Sequence, residues 1–282
     1  MALGSFSPVE VSVIRGVGAL AILIPIWWWQ EGARASVSPR DAAVFSLLGL
    51  FVLGNHLLTL FGLRYIGAAS AGVVIGAAPV VTALLSAILI GDASFRSVWL
   101  GCMLSFAGVA LVTGVEGGTF TGERTWLGGT LIMCGLVSWA LYSIGSRRTM
   151  ERFSPLTVNW TTLLISILLQ IPLLWIGQGS PFVRFRDASS GAWWALAYLI
   201  IFATAVGQQA WLYGVQGVGP TRAGIFLNLI PVSALVLSAL LLGDHVGARQ
   251  VIGILLILTG VWLVNRSPTP FVASHHLGSA NR

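Results

Sequence analysis

Long apolar runs, each closed by a short polar or Gly/Pro-rich stretch, set the pattern of this chain. Nine of them reach the roughly 20 residues a helix needs to cross ~30 Å of hydrocarbon. They lie near residues 9–29, 42–63, 68–90, 97–114, 126–146, 155–176, 192–214, 221–242 and 248–265. Polar and apolar positions do not alternate within them, as they would in the strands of a barrel. A helix also satisfies its backbone groups within the segment, which lipid requires. The pattern therefore predicts an all-α integral membrane protein.

The chain repeats itself. At a shift of 152 residues, 60–112 falls on 212–264 with 19 of 53 positions identical and no gap. The matches include Gly72 with Gly224, Pro79-Val80 with Pro231-Val232, Gly91-Asp92 with Gly243-Asp244, and Gly101 and Gly108 with Gly253 and Gly260. Apolar bias alone does not produce identities at Gly, Pro and Asp. At a shift of 147, Phe6-Ser7-Pro8 falls on Phe153-Ser154-Pro155 and Ile24-Pro25 on Ile171-Pro172. The span at 126–146 precedes Phe-Ser-Pro in the second copy and has no visible mate in the first. The unit thus has five spans, an odd number, and the copies point in opposite directions. The expected fold is two inverted-topology five-helix repeats: ten helices, nine visible in this chain, with the first helix expected upstream of Met1. The first repeat is expected over 1–118, the second over 124–266, and a cytoplasmic tail over 267–282. Inverted repeats of this kind build secondary transporters with the substrate site between the copies near the midplane.

Composition narrows the class. Hydrophobic residues make up 56% of the chain and charged residues 9%, against about 25% charged in soluble domains, which excludes a soluble enzyme or nucleic-acid binder. The net charge of +6 comes from Arg alone, since Lys is absent. The Arg are scattered and read as topology anchors. Arg34, Arg40, Arg96, Arg147, Arg148, Arg152, Arg222, Arg266 and Arg282 fall on one side, and Arg64, Arg124, Arg184, Arg186 and Arg249 on the other. By the positive-inside rule the first side is cytoplasmic. Cys102 and Cys134 read as small buried hydrophobes.

These residues resemble a known family. Ala78-Pro79-Val80 through Gly91-Asp92, Trp211-Leu212-Tyr213-Gly214 through Gly243-Asp244, and Ser7-Pro8 followed by Arg15 are similar to the fourth, ninth and second spans of the EamA-type branch of the drug/metabolite transporter superfamily. The resemblance implies ten helices, cytoplasmic termini and transport of small metabolites across the bacterial inner membrane, leaning towards the amino-acid exporters of the family. The Gly-Glu usual in the family is Gly-Asp here, and the nucleotide-sugar signature is absent from Gly224–Asn228. The competing readings are a membrane-embedded enzyme and a carrier of sugar phosphates or nucleotide sugars. No His-Glu-x-x-His motif, acidic dyad or phosphate loop is present, so no catalytic residue, metal or cofactor is expected. The expected partners are the lipid bilayer and a small-molecule substrate, with no nucleic acid, and the expected unit is a monomer.

Polar residues at membrane depth normally face the bundle interior or a cavity. Asn55-His56 interrupts the second run, and Gly207-Gln208, followed by Gln209, stands at the equivalent place in the other copy. These side chains read either as helix–helix hydrogen bonds or as a substrate cavity, to which Trp139, Tyr142, Trp160 and Asn228 are further candidates. Arg15 reads as a cation at the outer mouth that steers a carboxylate, or as one that snorkels or pairs with Glu10. Trp27, Trp28, Trp29, Trp193 and Trp194 read as interfacial belt. Pro79 and Pro231 break the same span in each copy and suit a hinge, about which the half before ~120 rocks against the half after, or static packing. Gly91-Asp92 and Gly243-Asp244 read as helix stops.

Overall fold

A computed structural model describes residues 6–32, 37–66, 68–90, 96–113, 124–175, 188–242 and 247–266. Gly91-Asp92, Gly243-Asp244, Arg184, Arg186 and the tail lie outside the described residues. Among those described, nine helices are long and apolar enough to cross a membrane. They are α1 (Pro8–Gln30), α2 (Pro39–Gly62), α3 in two pieces (α3a Ala68–Gly76, α3b Ala78–Ile90), α4 (Arg96–Thr113), α5 (Thr125–Thr149), α6 (Pro155–Gln170 with the tight turn Pro172–Leu174), α7 (Ser190–Val218), α8 in three pieces (α8a Pro220–Ile225, a tight turn Phe226–Asn228, α8b Leu229–Leu242) and α9 (Ala248–Arg266).

Three of the helices open with Ser-Pro, which presets the first turn and caps it. Ser7 accepts from Glu10 N at 3.2 Å while Glu10 accepts from Ser7 N at 2.8 Å, and Ser38 and Asp41 repeat the box on α2. At α6 the third position is Thr157, so Ser154 caps without a local acid. The breaks in α3 and α8 each lie just before the repeated proline. Pro79 and Pro231 lack the N–H that would bond four residues back, and the chain turns at Ala77 and across Phe226–Asn228.

The tightest approach to backbone at any described glycine joins the last helix of each copy. A Cβ on Gly108 would lie 2.6 Å from the Gly253 carbonyl, and one on Gly101 would lie 2.7 Å from the Gly260 carbonyl. The reciprocal approaches are as tight: a Cβ on Gly253 would lie 2.8 Å from the Gly108 carbonyl, and one on Gly260 would press on Gly101. The helices are therefore antiparallel. Because Gly101 and Gly108 correspond to Gly253 and Gly260, each glycine meets the counterpart of its neighbour, as a two-fold axis through the contact demands. Helices in lipid gain little from hydrophobic association and pack by close backbone approach. The same axis passes between α1 and α6, where Gly16 faces Leu163, its counterpart at the shift of 147, and Ile167.

The copies interleave instead of standing as two bodies. First-copy α1 and α2 pack on second-copy α5, α6 and α7, and α3 and α4 pack on α8 and α9. α5 has no counterpart in the first copy among the described residues. Gly54, Asn55 and Gly62 of α2 press against it. Their counterparts on α7 lie open: Val206 and Gly207 are exposed and Gly214 has free space around it. Cys102 is buried, but Cys134 is exposed on α5, which corrects the expectation for that residue.

Replacing Gly108 with Leu should separate α4 from α9 and destabilise the protein by about 1–3 kcal/mol, the usual range for overpacking. Gly129→Leu, at a site with nothing within 4 Å, should leave the midpoint of thermal unfolding in detergent unchanged. Equal midpoints for the two variants would contradict the packing described.

Candidate substrate site between the copies

At the level where α1 crosses α6, side chains from α5, α6 and α7 converge. Tyr142 is fully buried, with its hydroxyl 3.4 Å from Thr162 Oγ1 and with Gln208 and Ser146 alongside. The Trp139 ring stands 5.4 Å from those of both Tyr142 and Trp211, making an aromatic wall, and Trp211 Nε1 donates to Ser143 Oγ at 3.1 Å. Asn159 Nδ2 donates to Gln209 Oε1 at 2.9 Å. Several buried polar atoms of these residues and of Arg15 on α1 have no hydrogen-bond partner: Gln208 Nε2, Gln209 Nε2, Asn159 Oδ1, and Nε and Nη2 of Arg15.

Repeat symmetry organises these groups. Thr162 and Gln208 of the second copy correspond to Arg15 and His56 of the first. Thr162 faces the Tyr142 hydroxyl, and Arg15 and His56 hold the matching positions on α1 and α2. The neutral hydroxyl and amide of one half are thus matched by two nitrogen bases in the other. Arg15, expected at the outer mouth, has Nε and Nη2 sealed at the level of the crossing.

A wide, π-type turn over Leu199–Gly207 delivers Gln208 to this position. Thr204 Oγ1 donates to the Leu199 carbonyl five residues back at 2.8 Å. Such segments shift the register of the residues that follow and recur at functional sites. Nothing in the apolar run marks it.

Other candidates lie elsewhere. Asn55 Nδ2 donates to the Gly135 carbonyl at 3.0 Å, a helix–helix bond between α2 and α5. Asn228 donates to Ser105 Oγ at 2.8 Å, tying the break in α8 to α4 beside the glycine contact. Trp160 packs on Trp27, centroids 4.9 Å apart. Trp27 is therefore not belt: its Nε1 donates to Thr157 Oγ1 at 2.9 Å, while Trp28 and Trp29 are exposed. Trp194 is exposed, and Trp193 packs edge-on against Phe6. Pro79 sits where α3b meets α8a, its Cα 3.7 Å from where a Cβ on Gly224 would be.

Sequence reasoning missed a polar latch at the Arg-rich end. Ser154 Oγ donates to Glu31 Oε1 at 2.6 Å and Thr157 Oγ1 to Glu31 Oε2 at 2.8 Å. Glu31 thereby supplies across the two copies the acid that the cap of α6 lacks, and its charge suits a helix N-terminus. Arg152 donates to Asp41 at 2.7 Å. At this end α3b also packs on α8a, whereas the symmetry-related pair, α3a and α8b, has no comparable packing among the described residues. Gly219 makes the turn into α8a with φ +86°, and the Arg147 guanidinium occupies the space a Cβ would need.

Glu31→Ala should lower stability by about 1–2 kcal/mol through loss of the charge-assisted bonds to α6. Glu151→Ala, exposed on the adjoining loop, should be neutral. Thermal melts of both variants check the latch.

The chain resembles proteins of known family along nearly its whole length. The uncharacterized transporter YyaM of Bacillus subtilis is 29% identical over 262 residues, covering 92% of this chain and 85% of that one. The uncharacterized inner membrane transporter YedA of Escherichia coli K12 is 27% identical, covering 92% and 82%. A crystal structure superposes with a TM-score of 0.77 at 20% identity over 94% of this chain and 91% of the other, a likeness of fold. The EamA-like transporter family matches residues 1–114 and again 126–266, one match on each copy of the repeat, and the chain belongs to that family.

Proposed function

We propose that this protein is a secondary transporter that exports or exchanges small metabolites, amino acids foremost, across the bacterial inner membrane by alternating access. The observation that carries the reading is the cluster at the crossing of α1 and α6. The second copy brings Tyr142 and the Trp139 and Trp211 wall together with Thr162 and Gln208, the equivalent positions of the first copy carry Arg15 and His56, and buried polar atoms in both are left unpartnered. Such atoms are unfavourable in an apolar interior unless something bonds them, and a solute that does so accounts for them. Amides, an imidazole and aromatic faces suit a neutral or zwitterionic solute. A doubly charged phosphate needs more cations than a chain without Lys and with one membrane-depth Arg provides, which weighs against sugar phosphates and nucleotide sugars.

The two ends differ in the way a carrier closed at one end requires. The end held by α3b, α8a and the Glu31 and Asp41 contacts is the Arg-rich one, which the positive-inside rule places in the cytoplasm together with the C-terminus. Interleaving of the copies alters the moving parts. In place of residues before ~120 rocking against those after, α3, α4, α8 and α9 tilt against α1, α2, α6 and α7, with the breaks before Pro79 and Pro231 absorbing the change.

Purified protein in liposomes should move several amino acids, and His56→Ala or Gln208→Ala should reduce that flux about tenfold or more, as loss of a bond inside a dry site does. Exclusive transport of a phosphorylated compound, with both variants silent, would overturn the reading.

Pro79→Ala combined with Pro231→Ala restores the missing backbone bonds and should slow flux while leaving substrate binding within about twofold. Wild-type flux in the double variant would remove the hinge from the mechanism.

A further inference from the structure

Arg15 is a cation for which the described residues supply no anion at the same depth. The acids on or beside the described helices stand at helix ends: Glu10 at the start of α1, Glu31 at its end, Asp41 at the start of α2 and Glu151 after α5. Glu10 closes the capping box with the Ser7 N–H, Glu31 receives Ser154 and Thr157, and Asp41 receives Arg152. Glu10 is also five residues before Arg15, which turns it about 140° round the helix. Arg15 is eight positions into a 23-residue helix, next to Gly16, which packs on Leu163 and Ile167. Its Nε and Nη2 are sealed from solvent and have no partner. The residue as a whole is half-buried, with Nε and Nη2 on its dry side.

The copies also differ in charge at this pair of positions. Where the second copy has Thr162 beside Tyr142, the first has a guanidinium. The two half-sites are therefore a cationic one on α1 and α2, with Arg15 and His56, and a neutral one on α5, α6 and α7, with Gln208 and the aromatic wall. No carboxylate faces either half-site among the described residues, so nothing there pairs with a substrate's ammonium group.

We propose that Arg15 is the seat of a carboxylate carried by the substrate, and that the substrate class is small monocarboxylic acids with or without an α-amino group. The guanidinium edge formed by Nε and Nη2 presents two parallel N–H donors, the geometry that accepts both oxygens of a carboxylate. The acid neutralises the buried cation, His56 adds a hydrogen bond from α2, and the rest of the molecule lies towards Trp139, Tyr142 and Trp211. This rests on the site described above, but not on transport through it.

Binding to the full chain, purified in detergent, is read from its tryptophan fluorescence with four probes: phenylalanine, 3-phenylpropionate, 3-phenylpropionamide and phenethylamine. The two acids should quench saturably with midpoints within about threefold of each other. The amide and the amine should bind about tenfold more weakly or worse, the scale of one charge-assisted bond. Arg15→Gln should abolish the preference for acids, and Arg15→Lys should retain it at reduced affinity. Arg15→Lys also serves should Arg15→Gln fold poorly, since both are checked by unfolding midpoint and monodispersity. Equal binding of amide and acid to the wild type, no saturable binding of either acid, or an undiminished preference in Arg15→Gln would each overturn the proposal. Acid binding without flux in liposomes would overturn the transport reading and leave the carboxylate seat standing.

Discussion

The contact of α4 with α9 through four glycines is the constraint on which the rest of the arrangement depends. Hydrocarbon surrounds both helices, so burying apolar side chains between them gains little, and the contact is held by backbones close enough for dispersion and weak C–H···O attraction. That closeness tolerates no Cβ at Gly101, Gly108, Gly253 or Gly260. Because each glycine faces the counterpart of its neighbour, the contact also fixes the axis relating the copies. Once that axis is set, Gly16 must meet the region of Leu163, and the half-sites on either side of the crossing must face each other. Asn228, bonded to Ser105 at the edge of the contact, ties the break in α8 to α4.

Symmetry sets the frame, and departures from it make the site. A perfectly symmetric pair of copies would bind a ligand equally in two orientations. Here Arg15 replaces Thr162's counterpart and His56 that of Gln208, which gives the crossing a charged side and an aromatic side. The ends depart from symmetry too. Glu10 caps its own helix, whereas Thr157 stands at the equivalent place on α6 and leaves the acid to come from Glu31. One substitution in a capping box thus converts a local contact into one that joins the copies.

Much of the fold was legible in the chain because lipid imposes simple rules. The nine spans follow from length and hydropathy, and the described helices agree with them to within a few residues. The inverted repeat follows from identities at Gly, Pro and Asp. The site was legible in part. Trp139 and Gln208 lie against Tyr142 and Gln209 bonds Asn159, since polar and aromatic groups in the middle of a span have few places to go. Facing partners were not legible: the repeat marked four glycines as equivalent but not as opposed, because opposition depends on where the axis runs. Asn55 bonds the Gly135 carbonyl, a choice set by the packing angle of α2 on α5. Trp27, one of three consecutive tryptophans, turns inward because it alone of the three points at Thr157 and Trp160. The wide turn over Leu199–Gly207 leaves no composition signal, since its residues are those of any apolar run.

The energies of the closed end are small enough to permit switching. Arg152 keeps 65% of its side-chain surface exposed, so its bond to Asp41 contributes about 0–1 kcal/mol after screening. The Glu31 bonds are better sheltered but are exchanged for water when that end opens, which leaves a net difference of about 1–3 kcal/mol for hydrogen bonds to a charged group. The glycine contact lies on the axis, where a tilt of the flanking helices displaces atoms least, so it need not break. A difference of a few kcal/mol between states is one that a ligand can reverse only by binding one state more tightly. A buried cation with no fixed counter-charge provides such a preference. On the proposed reading, a state that encloses Arg15 without an acid would be disfavoured by its desolvation, and an acid in place would relieve it. On the same reading, occupancy of the guanidinium at the crossing would couple to closure of that end.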